Sequence, residues 1–278
     1  MSYKRILTVQ DISCVGQCSM TVAMPILSVC GHEVCLLPAA ILSTHTGGFG
    51  RPAVQKLGSW MAEAVSHWKG NGITFDLVYV GYLGSAEAVS IAEEIMDTMV
   101  APGGITVVDP ALADHGKRYS GLDENYAEKM FRLCEKADIM IPNITEAAMM
   151  SGLAYRDELD EGYVQELLNR LPGRNVLLTG VGYDSDRTGF ALRTESGIRE
   201  FTHEKLDGHY SGTGDMFASA FCGALASGRE MMDAGILAAS FVRRCIEVTQ
   251  ENPAHWYGVR FEPVLGELQQ LLTEDFCC

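Results

Sequence analysis

Runs of apolar, strand-like residues alternate with helical patterns along nearly the whole chain, and this alternation constrains the fold more than any other feature. Ile6–Val9, His32–Pro38, Asp76–Val80, Ile105–Val108, Ile139–Ile141 and Val176–Thr179 read as buried strands. Between them the sequence predicts helices at about 19–30, 85–99, 125–136 and 160–170, with a short one from Ile144. Pro52 sits where proline favours a first helical turn, and Val54, Leu57, Trp60, Met61 and Val65 recur at helical spacing, predicting a helix from 52. Phe190–Phe201 reads as a hairpin, and helices at 215–227, 231–250 and 263–273 close the chain. Strands that alternate with helices pair in parallel and are covered on both faces. The expectation is an α/β fold: a three-layer α/β/α sandwich around a mostly parallel sheet. No linker or low-complexity stretch divides residues 1–278, which read as one domain.

In such sheets ligands bind beyond the carboxyl ends of the strands. The polar loops at 10–16, 43–50, 81–84, 109–119, 142–146 and 179–185 fall there. They carry Asp11, His45, Tyr82, Asp109, Asp114, Asn143, Glu146 and Thr179 towards one edge. No phosphate-binding loop ending in Gly-Lys-Ser/Thr is present, nor a Gly-x-Gly-x-x-Gly after the first strand, which disfavours the two commonest nucleotide folds.

Residues 211–228, Ser-Gly-Thr-Gly-Asp-Met-Phe-Ala-Ser-Ala-Phe-Cys-Gly-Ala-Leu-Ala-Ser-Gly, supply the chemistry. Gly212, Thr213 and Gly214 form a turn, with Asp215 at or just inside the start of a helix apolar on nearly every side. Such a helix is buried, and its first N–H groups carry roughly half a positive charge with no intrahelical partner. Glycines let a ligand approach the backbone, so an anion such as a phosphate suits the turn. Asp215 reads either as a cap or as a general base beside an anion hole, the pair that phosphoryl transfer to a hydroxyl requires.

The formal charge of −15 argues against nucleic-acid and anionic-membrane partners, though an anion hole and Mg²⁺ hold a phosphate even in an acidic protein. No apolar run is long enough to span a bilayer, and Met1–Arg5 does not resemble a signal peptide. The nine cysteines are scattered without a C-x2-C pair, and those in apolar segments read as packing rather than as zinc ligands or redox pairs. A cytoplasmic location is expected.

Gly212-Thr213-Gly214-Asp215, late in an alternating chain, resembles the signature of the ribokinase superfamily, and Asn143-Ile144-Thr145-Glu146 resembles that family's Asn-x-x-Glu element. Ser43-Thr44-His45-Thr46-Gly47, Gly81-Tyr82, Asp109–Gly116 and Gln10 are similar to stretches of pyridoxal kinases. The resemblance runs from Val9 to about Val248. It implies ATP-dependent phosphorylation of the 5′-hydroxymethyl group of a B6 vitamer, with Mg²⁺ as cofactor. Asp215 would be the base, and Gly212, Thr213 and Gly214 the anion hole. Asp11, His45, Thr46 and Tyr82 would face the vitamer. Asp109, Asp114, Asn143, Glu146 and Thr179 would serve ATP, with Asp109 and Glu146 near Mg²⁺ through water. Relatives of this kind are commonly homodimers, and the loop 111–120 is a candidate lid. Asp11 stands where many pyridoxal kinases have serine, which bears on vitamer choice. A hydroxymethylpyrimidine kinase is the neighbouring alternative, and a non-catalytic vitamer-binding protein a more distant one. Read individually, Asn143 and Glu146 also fit a helix cap with its capping-box partner. His45 also fits a residue that hydrogen-bonds its own loop, Asp109 a turn before Pro110, Tyr82 plain packing and Asp114 a solvated loop charge.

Overall fold

The computed structural model describes residues 3–208, 210–252 and 254–273. Its centre is a nine-stranded sheet in the order β11-β10-β9-β8-β5-β4-β1-β2-β3. The strands are β1 (Arg5–Ser13), β2 (Glu33–Leu42), β3 (Val54–Lys56), β4 (Phe75–Val80), β5 (Val100–Val108), β8 (Ile139–Met140), β9 (Asn175–Thr179), β10 (Arg187–Thr194) and β11 (Gly197–Glu204). β6 (Ala113–Asp114) and β7 (Lys117–Arg118) form a separate two-stranded ribbon. The six strands from β2 to β9 across the middle pair in parallel, whereas β3, β10 and β11 are antiparallel.

Two hydrophobic cores lie on opposite faces of the sheet, and single strands feed both. Leu7 and Val9 of β1 and Val78 and Val80 of β4 enter one core, while Ile6, Leu77 and Tyr79 enter the other. The first core is covered by α2 (Gly58–Gly70), α3 (Ala86–Thr98), α4 (Glu124–Lys136), α5 (Ile144–Ser151) and α6 (Glu161–Arg170). The second is covered by α1 (Met20–Val29), α7 (Thr213–Ala226), α8 (Met231–Gln250) and α9 (Leu265–Thr273). This is the expected three-layer sandwich. As the sequence implied, α7 is interior, with every residue from Met216 to Leu225 buried.

The structure corrects one element. Val54–Lys56 is not helical: it pairs antiparallel with Ala40–Leu42 as an edge strand, and α2 begins only at Gly58. The pairing replaces the helical start that Pro52 suggested. β1 also runs on through the expected loop to Ser13, with a register shift against β2 between Gln10 and Ile12. That irregularity leaves Asp11 at the carboxyl end of the strand, between β2 and β4. Here the parallel strand order reverses, since β1 leads to β2 on one side and its other neighbour is β4. A ligand crevice is expected at such a switch point. Among the described residues no helix is long and apolar enough to cross a membrane.

Candidate active site

A cleft of about 590 Å³ opens along the carboxyl ends of the parallel strands, within the range of roughly 300–1,000 Å³ usual for small-molecule sites. All thirteen residues singled out from the sequence line it: Asp11, His45, Thr46, Tyr82, Asp109, Asp114, Asn143, Glu146, Thr179 and the turn Gly212-Thr213-Gly214-Asp215.

Gly212 caps α7 with φ 86°, in the left-handed region, and a Cβ there would lie 2.5 Å from the Gln17 carbonyl oxygen. Both conformation and space therefore demand glycine. The first intrahelical bond is Met216 N–H to Gly212 C=O at 3.0 Å, so the N–H groups of Thr213, Gly214 and Asp215 have no intrahelical acceptor. The helix start lies one or two residues earlier than the sequence suggested, which leaves the Asp215 N–H beside those of Thr213 and Gly214. Open space surrounds Gly214 where a Cβ would stand.

Asp215 is the third residue of α7. Burial pushes its carboxyl up to about 7; the Ser19 N–H, hydrogen-bonded to it, opposes the rise and the charge of Asp11 adds to it. Asp11 is likewise raised, chiefly by burial, while the Ser19 and Ser13 hydroxyls pull it down. Ser13 Oγ donates to Asp11 Oδ2 at 2.9 Å, and the Asp11 N–H donates to the Tyr82 carbonyl at 3.0 Å. Ser19 therefore stands between the two carboxylates. Sequence reading passed over it, because a serine before a helix looks like an ordinary cap. Here it makes no side-chain cap bond and holds φ 55°.

His45 has no ring nitrogen free for a ligand. Nδ1 accepts the Gly47 N–H at 2.9 Å, so Nε2 carries the hydrogen and donates to the Tyr257 carbonyl at 2.8 Å. The reading in which this histidine braces its own loop is the one the geometry follows. Thr46 beside it is exposed and lines the cleft with half-buried Tyr82.

At the other end Asn143 and Glu146 form a complete capping box at the start of α5. Glu146 Oε2 accepts the Asn143 N–H at 2.9 Å, and Oε1 accepts the N–H groups of Leu112 and Ala113 at 2.8 and 3.3 Å. Asn143 Nδ2 donates to the Ala113 carbonyl at 2.8 Å. Motif and cap are one structure: it fastens the backbone at 112–113 to α5 and turns both residues towards the cleft. Asp109 Oδ1 accepts the Ala111 N–H at 3.0 Å, and no described residue donates to Oδ2. Burial, then repulsion from Glu146 and Asp215, raise the Asp109 carboxyl well above its usual range. Glu146 is raised by burial, against the pull of its three N–H donors. A cluster of acids that repel one another in a confined space suits a divalent cation. Among the described residues no group of three or more His, Cys, Asp or Glu forms a ready-made metal cage, so such an ion would need ligands from water or substrate.

The loop 111–120, expected as a lid, contains the β6–β7 ribbon. Its turn, His115-Gly116, has positive φ at both residues, and the Gly116 N–H donates to Thr145 Oγ1 at 3.0 Å. Asp114 accepts the His115 N–H at 2.8 Å. Thr179 extends from β9 against Pro142, its N–H donating to the Pro142 carbonyl at 2.9 Å. Sequence reading missed the far wall, formed by Lys205, Leu206, Phe217, Val242 and Ile246. Val242 and Ile246 lie four apart on α8, a spacing equally suited to core packing. The described cysteines are all free, whereas Cys277 and Cys278 lie outside the described residues.

Comparison with known proteins agrees with this geometry. The family model for phosphomethylpyrimidine kinase matches residues 52–259. The crystal structure of pyridoxal kinase from Lactobacillus plantarum superposes with a TM-score of 0.88 at 31% identity, covering 97% of this chain and 98% of that one. A Bacteroides thetaiotaomicron structure described as a phosphomethylpyrimidine kinase, in a crystal form with pyridoxal, gives 0.90 at 32% identity over 96% of each chain. Pyridoxal kinase PdxY of Actinobacillus pleuropneumoniae is 28% identical over 64% of each chain, just under two thirds of its length. The chain belongs to the phosphomethylpyrimidine kinase family and is an ATP-dependent kinase of the ribokinase superfamily.

Proposed function

We propose that this kinase transfers the γ-phosphoryl group of ATP to the 5′-hydroxymethyl group of a B6 vitamer. The observation that carries the reading is the position of Asp215. It stands at the N-terminus of a buried helix, in a cleft that Asp11, Thr46 and Tyr82 line together with Asp109, Asn143 and Thr179. The hydroxyl proton passes to the Asp215 carboxylate as the oxygen attacks the γ-phosphorus. The N–H groups of the Gly212–Asp215 turn stabilise the charge spreading over the phosphoryl oxygens. Thr179 and Gly180 would face the phosphates, and Leu206, Val242 and Ile246, which line the same cleft, would take the nucleobase. Asp109, with one carboxylate oxygen that no described residue donates to, would hold Mg²⁺, which would neutralise phosphate charge; Glu146, which fastens the surrounding backbone, would reach the ion only through water. The β6–β7 ribbon, whose Asp114 and His115 line the cleft, would limit access of water to ATP.

A hydroxymethylpyrimidine is the second substrate to test, since the matching family model is that of phosphomethylpyrimidine kinase; the same base and N–H groups would serve it. An ADP-release assay with Mg·ATP separates the two. Pyridoxal, pyridoxamine, pyridoxine and hydroxymethylpyrimidine are compared in the wild type and in Asp215→Asn. Turnover of a B6 vitamer, reduced roughly 10²–10⁴-fold in the variant, is the expected result. Turnover of the pyrimidine alone gives the second reading, and no turnover of any of the four rejects both.

A further inference from the structure

The vitamer end of the cleft is built from two loops, 14–19 after β1 and 43–50 after β2. A third segment, 255–262 between α8 and α9, holds both while contributing neither Trp256 nor Tyr257 to the cleft lining. We propose that this segment is a strap that positions the vitamer-binding loops, with Trp256 as its anchor; the substrate assigned to that end rests on the function proposed above.

Each loop is gripped at several points. On loop 43–50, the Tyr257 carbonyl accepts the His45 Nε2–H at 2.8 Å. Phe49 packs its ring 4.8 Å from that of Trp256 and 5.8 Å from that of Tyr257. A Cβ on Gly48, whose φ is +85°, would lie 2.8 Å from the Trp256 ring. On loop 14–19, both ends of the Gln17 amide are taken. Nε2 donates to Glu262 Oε1, and Oε1 accepts from His255 Nε2 at 3.1 Å. Gly258 lies so close to the Gly16 carbonyl that a Cβ would approach it to 2.8 Å. The loops also meet each other, the His45 N–H donating to the Val15 carbonyl at 3.1 Å.

The grip reaches the reacting end through Gln17. Its carbonyl rests against Gly212, and its φ of 53° is one few non-glycine residues adopt. A strained loop keeps such a shape only when its surroundings dictate it, and the strap supplies that constraint through the Gln17 side chain. Trp256 is 59% exposed. A core side chain of that size would be buried, so its position is explained by what it holds rather than by the core.

The test uses Trp256→Ala, with Trp256→Phe as the conservative variant that keeps a ring against Phe49. In Trp256→Ala the vitamer KM is expected to rise about tenfold, with the ATP KM within about twofold of wild type and kcat lowered by less than the vitamer KM is raised, through the Gln17–Gly212 contact; Trp256→Phe recovers most of the loss. Hydrogen exchange on the unliganded protein gives a readout that needs no substrate. In Trp256→Ala, protection falls at residues 14–19 and 43–50 and is unchanged in β4, β5 and α7. An unchanged vitamer KM, a parallel rise in both KM values, or unaltered exchange in the two loops overturns the proposal. If the wild-type protein turns over no B6 vitamer, the functional reading fails and hydrogen exchange alone decides the strap.

Discussion

Asp215 can take a proton only after losing its own, and the fold makes that loss late. Its carboxyl is held at about 7, mainly by burial, against about 3.9 for an aspartate in an unfolded chain. Activity that depends on this base should rise with pH through about 7, read as kcat/KM for the hydroxymethyl substrate. Stability should run the other way. Between about pH 4 and pH 7 the unfolded chain has released this proton while the folded chain retains it, so folding weakens as pH rises across the window. Asn carries no charge to bury. Asp215→Asn should therefore melt higher than wild type at pH 8, and the gap should close towards pH 4. A thermal melt series at both pH values checks this, and a variant that is less stable at pH 8 would contradict the burial argument. The conflict between base and fold was visible in the sequence only as a carboxylate at the head of an apolar helix; its size depends on Asp11 and Ser19, which reach Asp215 from about 200 residues away.

At the scale of elements, α5 shows one motif doing two jobs. Asn143 Oδ1 accepts the Glu146 N–H at 3.0 Å as an N-cap, and its Nδ2 ties the 113 carbonyl to the helix. Asn143→Ala should cost about 1–2 kcal/mol of stability, measured by urea denaturation, and raise the ATP KM. Asn143→Ser keeps a good cap and should recover most of the stability while leaving the ATP KM high; recovery of both would make the residue a cap and nothing more. The sequence made both readings available because the capping box and the element that resembles the ribokinase superfamily's share the pattern Asn-x-x-Glu. It did not make β3 available. Val54, Gln55 and Lys56 are all exposed, so no burial pattern marks them as a strand, and the backbone pairing to Ala40–Leu42 overrides a helical spacing that starts at a proline. The strap was hidden for a related reason. His255, Trp256 and Tyr257 match no motif, and their importance lies in contacts with residues 17, 45 and 49, which no local pattern records. What was legible were the residues at the carboxyl ends of strands, because strand–helix alternation alone assigns them an edge.

For the whole molecule, the question is whether two cores on opposite faces of one sheet can fail separately. Each strand that carries the site contributes alternate side chains to both: Ile6 against Leu7 and Val9 in β1, Leu77 and Tyr79 against Val78 and Val80 in β4, Leu177 against Val176 and Leu178 in β9. Melting one core while keeping the other would leave these strands with one bare apolar face in water, at roughly 25 cal/mol for each Å² exposed. The active-site edge couples the layers again, since α7 brings Asp215 from one face and α5 brings Asn143 and Glu146 from the other into one cleft. The chain should therefore unfold as one unit. Far-UV circular dichroism, which follows helices on both faces, and tryptophan fluorescence, in which Trp68 packs against the α2–α6 core, should give the same urea midpoint. Saturation with ATP should move both together, because a ligand bound only to the folded form stabilises the whole cooperative unit by about 2.7 kcal/mol at a hundred times its Kd. Two separated midpoints, with ATP shifting only one, would mean that the layers fold independently and that the cleft lies on a boundary between units.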